Sequence, residues 1–154
     1  MANKHSSLKR QQGSVLLEAL IAVLIFSMGI IALMGLQAVS IKNSVDAKYR
    51  ADAAYLANQI IGQMWVDRSN LDAYAHYPAG ANCAPTGAAS ALANVTNWLT
   101  QTTAALPGAT GAKQQISVTT PLANTRQVTV TVCWQGPQEA APHNFVATAQ
   151  INTP

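Results

Sequence analysis

Glu18 is the residue whose chemistry is hardest to set aside. It heads the run ALIAVLIFSMGIIALMGL, Ala19 to Leu36, 18 residues without a charge. A carboxylate in such a run costs on the order of 2–3 kcal/mol even on lenient insertion scales, and it is normally kept because something pairs with it. The other titratable residues offer no reaction centre. His5, His76 and His143 are scattered; Asp46, Asp52 and Asp67 fall on the long helical segment read below. Asp72 and Glu139 lie in loops, with no spacing that places them together. Glycine-rich phosphate loops, nucleophile elbows and metal-ligand spacings are missing. The chain is therefore expected not to be an enzyme and to use neither metal nor cofactor.

The element that must position Glu18 is a membrane helix. At ~1.5 Å per residue, the uncharged run nearly spans the hydrocarbon core of a bilayer. Lys4, Lys9 and Arg10 precede it and supply the whole formal charge of +3, leaving six basic and six acidic side chains in the rest of the chain. Positive charge ahead of an apolar run marks the cytoplasmic side. No later Lys/Arg run follows a phosphate backbone, so no nucleic-acid partner is expected. A secretory signal is the competing reading, with a site after Ala38-Val39-Ser40, but it leaves Glu18 unexplained. The small-residue landmark Gly13-Ser14 lies before the apolar run. A cut there would remove only the basic leader and place a new α-amino group on Ser14, about one helical turn from Glu18. In a stack of parallel helices, the acid of one subunit would neutralise the N-terminus of its neighbour, giving Glu18 a role in register and recruitment. A hydrated carboxylate at the membrane interface is the plainer alternative.

The stretch Gly13-Ser14-Val15-Leu16-Leu17-Glu18 resembles the class III signal of type IV prepilins: a short basic leader, a glycine, and an acid five residues into the mature chain. The resemblance implies cleavage between Gly13 and Ser14 by the membrane-embedded prepilin peptidase and N-methylation of Ser14. It also implies helix registration through Glu18.

Beyond the membrane run, Val45, Tyr49, Ala53, Leu56, Ile60 and Met64 recur at helical spacing, with Lys42, Asp46, Lys48, Arg50 and Asp52 opposite. Asp46 and Arg50 stand at the i,i+4 spacing of an ion pair. No proline occurs between Ser14 and His76, so the pattern predicts one helix over about 14–68, roughly 80 Å long at helical rise. Tyr55, Met64 and Trp65 are read as core residues. The Pro/Gly/Ala-rich stretch 71–89 reads as a loop carrying Cys83; Ser90 then caps a short helix with Leu92, Val95 and Leu99 on one face, ended by Leu106-Pro107-Gly108. Three strands follow, 115–119, 126–134 and 144–151, with Pro121, Asn124, Gly136, Pro137 and Pro142 in the turns. Cys83 and Cys133 have no metal-site spacing, and an exported body makes a disulfide the favoured pairing, worth roughly 4 kcal/mol on the loop-entropy model. Two separate buried thiols are the alternative.

The expected fold is α+β, a long N-terminal helix packed on a small antiparallel sheet. Residues 1–13 form the leader, 14–40 the membrane half of the helix and 41–70 its amphipathic half. Residues 71–154 form the loop, short helix and sheet, making the globular domain together with 41–70. This order, with YRADAAYLANQIIGQM, Leu106-Pro107-Gly108 and VTVTVCW, looks like the PilV group of minor pilins. That resemblance implies a structural subunit that helps initiate, assemble or modify a type IV pilus. Its expected partners are the prepilin peptidase, other minor and major pilins and the inner-membrane assembly platform. The expected location is the inner membrane, single-pass with the globular domain periplasmic, and then the pilus. A minor pseudopilin of a type II secretion system and an adhesive or DNA-uptake pilin are the alternatives; Lys113 and Arg126 are the cations a DNA patch would use.

Overall fold

The computed structural model describes residues 12–137 and 139–153, with the side chains of residues 12 and 13 outside the description. The leader residues Lys4, His5, Lys9 and Arg10 lie outside the described residues. The chain is α+β, with the element order α1 (Gln12–Val66), a 3-10 turn (Arg68–Tyr74), β1 (Ala79–Ala81), β2 (Ala84–Thr86), α2 (Ala93–Ala105), a second 3-10 turn (Gly111–Lys113), β3 (Gln115–Leu122), β4 (Thr125–Trp134) and β5 (His143–Asn152). It divides into two units, Met1–Val45 and Asp46–Pro154.

In the first unit, α1 is apolar on every side, as a helix surrounded by lipid or by other helices must be. Large side chains from Val15 to Ile41 are exposed all round, Phe26 and Ile31 each at 69%. Two of its hydroxyls are closed within the helix: Ser27 Oγ donates to the Val23 carbonyl at 2.7 Å and Ser44 Oγ to the Ser40 carbonyl at 2.9 Å. The helix starts at Gln12, two residues before the expected Ser14, and Asp46 and Arg50 form no ion pair.

In the second unit, the rest of α1 buries Ala53, Leu56, Ala57, Ile60, Ile61 and Met64. This is the expected stripe, shifted away from the membrane run, since Val45 remains exposed. Tyr55 and Trp65 contradict the reading that made them core residues: they are 68% and 46% exposed. The buried stripe advances by one and three residues, which puts Tyr55 about 200° from Ala53. The core closes with Val128, Val130 and Val132 of β4, Ile151 of β5, Ile116 of β3, and Val95 and Trp98 of α2.

The sheet is an antiparallel meander, β3-β4-β5, and all ten β5 residues run in unbroken register with β4. Alternation in β5 is as read from sequence, with Phe145, Ala147, Ala149 and Ile151 inward. Pro121 was expected in a turn but lies within β3, where the register shifts between Thr119 and Leu122. An edge strand tolerates proline there because no inner ladder bond is lost. The turn proper is Ala123-Asn124, and Asn124 takes φ 61°.

Two local expectations fail. The 71–89 stretch is not simply a loop: it holds the 3-10 turn and the ribbon β1-β2, with Asn82-Cys83 at its tip. Ser90 is not the cap of α2, because Leu92 occupies that position without a side-chain cap bond. The Ser90 hydroxyl instead donates to the Ala73 carbonyl at 2.7 Å and accepts the Leu92 N–H at 3.2 Å, pinning the entry to the helix. The far end of α2 is as expected: Leu106 closes it, and Gly108 turns the chain at φ 61° against the Gln135 carbonyl.

Candidate assembly site

The scissile bond expected between Gly13 and Ser14 lies within the first turn of α1. Ser14 and Glu18 are exposed on that helix, and Glu18 has no ion-pair partner among the described residues. From Glu18 onward, α1 holds the one stretch among the described residues that is long and apolar enough to cross a membrane, with a mean hydropathy of 2.7 and none of it covered by the protein itself. In water, this continuous apolar surface would be far larger than the patches soluble monomers expose. In lipid such a surface is satisfied, and among the described residues Glu18 is the one charge at its head. Gly29 and Gly35 have open space beside them, so a neighbouring helix is free to approach closely at either.

In the second unit, Cys83 and Cys133 are joined in a disulfide, with Cα atoms 5.5 Å apart. The bond ties the tip of the β1-β2 ribbon to β4. The ribbon is also held by the Gln115 side-chain amide, which donates to the Ala79 carbonyl at 3.0 Å.

Polar side chains that sequence reading left without a role turn out to hold this body together. His76 is buried; its Nδ1 accepts the Ser90 N–H at 3.1 Å, so Nε2 carries the proton and donates to the Gly111 carbonyl at 3.1 Å. Trp98 is fixed by its indole N–H, which donates to the Leu56 carbonyl at 2.9 Å. Tyr74 is buried, donates to Asp67 at 3.3 Å and accepts from the Asn94 amide at 2.8 Å. Burial raises its pKa; the Asn94 bond lowers it, and the Asp67 carboxylate raises it again. No sequence signal marks the partners Ser90, Gly111, Leu56 and Asn94, because each lies 14 or more residues away.

The two acids expected in loops, Asp72 and Glu139, are both engaged. Asp72 takes the Arg126 guanidinium through Nε at 3.2 Å and Nη2 at 3.4 Å, so one of the two cations considered for DNA is already neutralised. Glu139 meets His143 Nε2 at 3.0 Å and accepts the Gly136 N–H at 2.9 Å, while His143 stacks on Trp134. These pairs close loops onto the sheet; no three His, Cys, Asp or Glu side chains gather among the described residues.

No protein-family model, no curated protein and no solved structure matches the chain.

Proposed function

We propose that this chain is a minor type IV pilin of the PilV kind, a structural subunit without catalytic activity. The observation that carries the reading is the build of α1: a charge-free, fully exposed apolar run headed by Glu18, continuing without interruption into a stretch whose one face builds a globular core. A soluble domain has no use for the first half, and a plain membrane anchor has no need of the acid.

In this reading the prepilin peptidase cuts after Gly13, and Ser14 becomes the N-terminus and is methylated. The globular domain stands in the periplasm while the apolar helix waits in the inner membrane. Incorporation transfers that helix from lipid to a core of parallel pilin helices, where Glu18 pairs with the α-amino group of a neighbouring subunit and sets the axial register. Because the first turn of α1 includes Gly13, cleavage requires local unwinding. Glycine eases this, since it costs a helix up to ~1 kcal/mol relative to alanine.

The test is Glu18→Ala in the native host. Membrane level and cleavage should stay unchanged while recovery in sheared pili falls at least several-fold. Full incorporation of the variant would remove the role given to Glu18. A deletion strain identifies the machine: pilus loss with intact protein secretion fits the proposal, and the reverse assigns the chain to a type II secretion pseudopilus.

A further inference from the structure

Where α1 ends near the first turn of α2, the structure holds a cleft of about 530 Å³ lined by Gln63, Val66, Asp67 and Asn94. Its polar groups are unevenly matched, with acceptors in excess. Asp67 is half-buried, and its carboxylate takes two neutral donors at one oxygen only. The Tyr74 hydroxyl donates to Oδ2 at 3.3 Å and the Asn70 amide at 3.4 Å. Among the described residues Oδ1 has no hydrogen-bond partner, and no cation pairs with either oxygen. Arg68, the next residue along, is exposed and forms no ion pair.

The two amides point the same way. Asn94 donates through Nδ2 to the Tyr74 hydroxyl at 2.8 Å, which leaves its Oδ1 as an unused acceptor. Gln63 keeps its Oε1 sheltered from solvent with no hydrogen-bond partner among the described residues. Native structures rarely leave such a group unsatisfied. The backbone adds to the negative potential, because α1 finishes with no basic residue in its last turn. A helix C-terminus carries roughly half a negative charge and an N-terminus half a positive one. The end of α1 and the start of α2 therefore offset each other, and the Asp67 carboxylate is left over. An anion would meet that charge at close range; a cation would neutralise it.

We propose that this cleft is a binding site for an organic cation, a primary ammonium or guanidinium group carried on a short aliphatic stem. The charged head sits on Asp67 Oδ1, in the charge-assisted hydrogen bond that the carboxylate lacks. Its remaining N–H groups serve Asn94 Oδ1 and, once the Gln63 amide swings toward the cleft, Gln63 Oε1. The stem lies along Val66, which is 90% exposed and offers the apolar wall that such stems cover. Two sources present this chemistry, a lysine or arginine of another protein chain and a small free amine. The inference goes beyond the pilin assignment and does not depend on it.

The test titrates the isotope-labelled full chain in detergent micelles with n-butylammonium, the head and stem of a lysine side chain. Its uncharged counterpart n-butanol is titrated in parallel. The side-chain amide resonances of Gln63 and Asn94 should shift with butylammonium, saturate at about 1–10 mM, and stay in place with butanol. Asp67→Asn removes the charge while keeping an acceptor for Tyr74, and should weaken binding at least tenfold. Val66→Lys alters only an exposed position, so it spares the core. Its tethered ammonium should occupy the cleft and abolish the response to added amine. A shift that never saturates, an equal response to butanol, or wild-type affinity in either variant overturns the proposal. An acetylated and amidated Ala-Lys-Ala tripeptide then separates the sources. Binding at least as tight as that of butylammonium assigns the site to a side chain of another protein, and exclusion of the tripeptide assigns it to a free amine.

Discussion

The side chain of Gln114 closes both backbone groups of Cys133: Nε2 donates to its carbonyl at 3.0 Å, and Oε1 accepts its N–H at 2.8 Å. Gln114 is fully buried. The β3-β4 ladder begins with Gln115 opposite Thr131, so Cys133 lies past the end of β3. The amide of Gln114 therefore acts as one further unit of backbone, extending the sheet to the residue that anchors the disulfide.

Gln114→Leu keeps the volume but orphans two buried backbone groups, each costing ~1–3 kcal/mol. The variant should lose about 2–6 kcal/mol on that basis, read as a lower denaturation midpoint by tryptophan fluorescence. A midpoint equal to wild type would mean that water replaces the amide.

Removing the disulfide loosens the ribbon but leaves the meander. Reduced protein, or the Cys83→Ala/Cys133→Ala pair, should lose roughly 4 kcal/mol on the loop-entropy model. Amide exchange should rise first at Ala79–Thr86, whose two strands hold three residues each. Uniformly faster exchange through β4 and β5 would show that the bond supports the whole sheet instead.

Gly108 combines φ 61° with a backbone carbonyl, that of Gln135, 2.7 Å from where a Cβ would stand. Left-handed backbone alone costs a non-glycine residue about 1–2 kcal/mol, and the close approach adds to it. Gly108→Ala should therefore lower the midpoint by at least that much, and an unchanged midpoint would contradict the described turn.

Tyr74 predicts an alkaline limb to stability. Its folded pKa lies above the ordinary value of 10.0, chiefly through burial. The neutral phenol is thus favoured by folding, and its contribution is complete below the unfolded value and is lost as pH rises through the folded one. Tyr74→Phe should cost about 1 kcal/mol at neutral pH from the lost hydrogen bonds and show a flatter decline above pH ~10. Parallel alkaline curves would show that another group is responsible.

Much of this architecture was legible in the sequence because it rests on local period. RQVTVTVCW alternates cleanly, and β4 extends it by one residue only. The uncharged run and its continuation likewise predicted α1. The ribbon was illegible because AGA and APT contain nothing that alternates. Tyr55 and Trp65 were misread because aromatic type was weighed over angular position. Gln114, His76 and Trp98 were missed because their partners are distant in sequence. Glu18 stands out by chemistry alone, and the partner proposed for it belongs to another subunit.

The central claim is tested most directly by the N-terminal sequence and intact mass of the protein taken from its native membrane. The account predicts a mature chain that begins at Ser14, with a methyl group on its α-amine and the whole apolar helix retained. An uncut chain beginning at Met1, or one beginning near Ile41 with that helix removed, would contradict it.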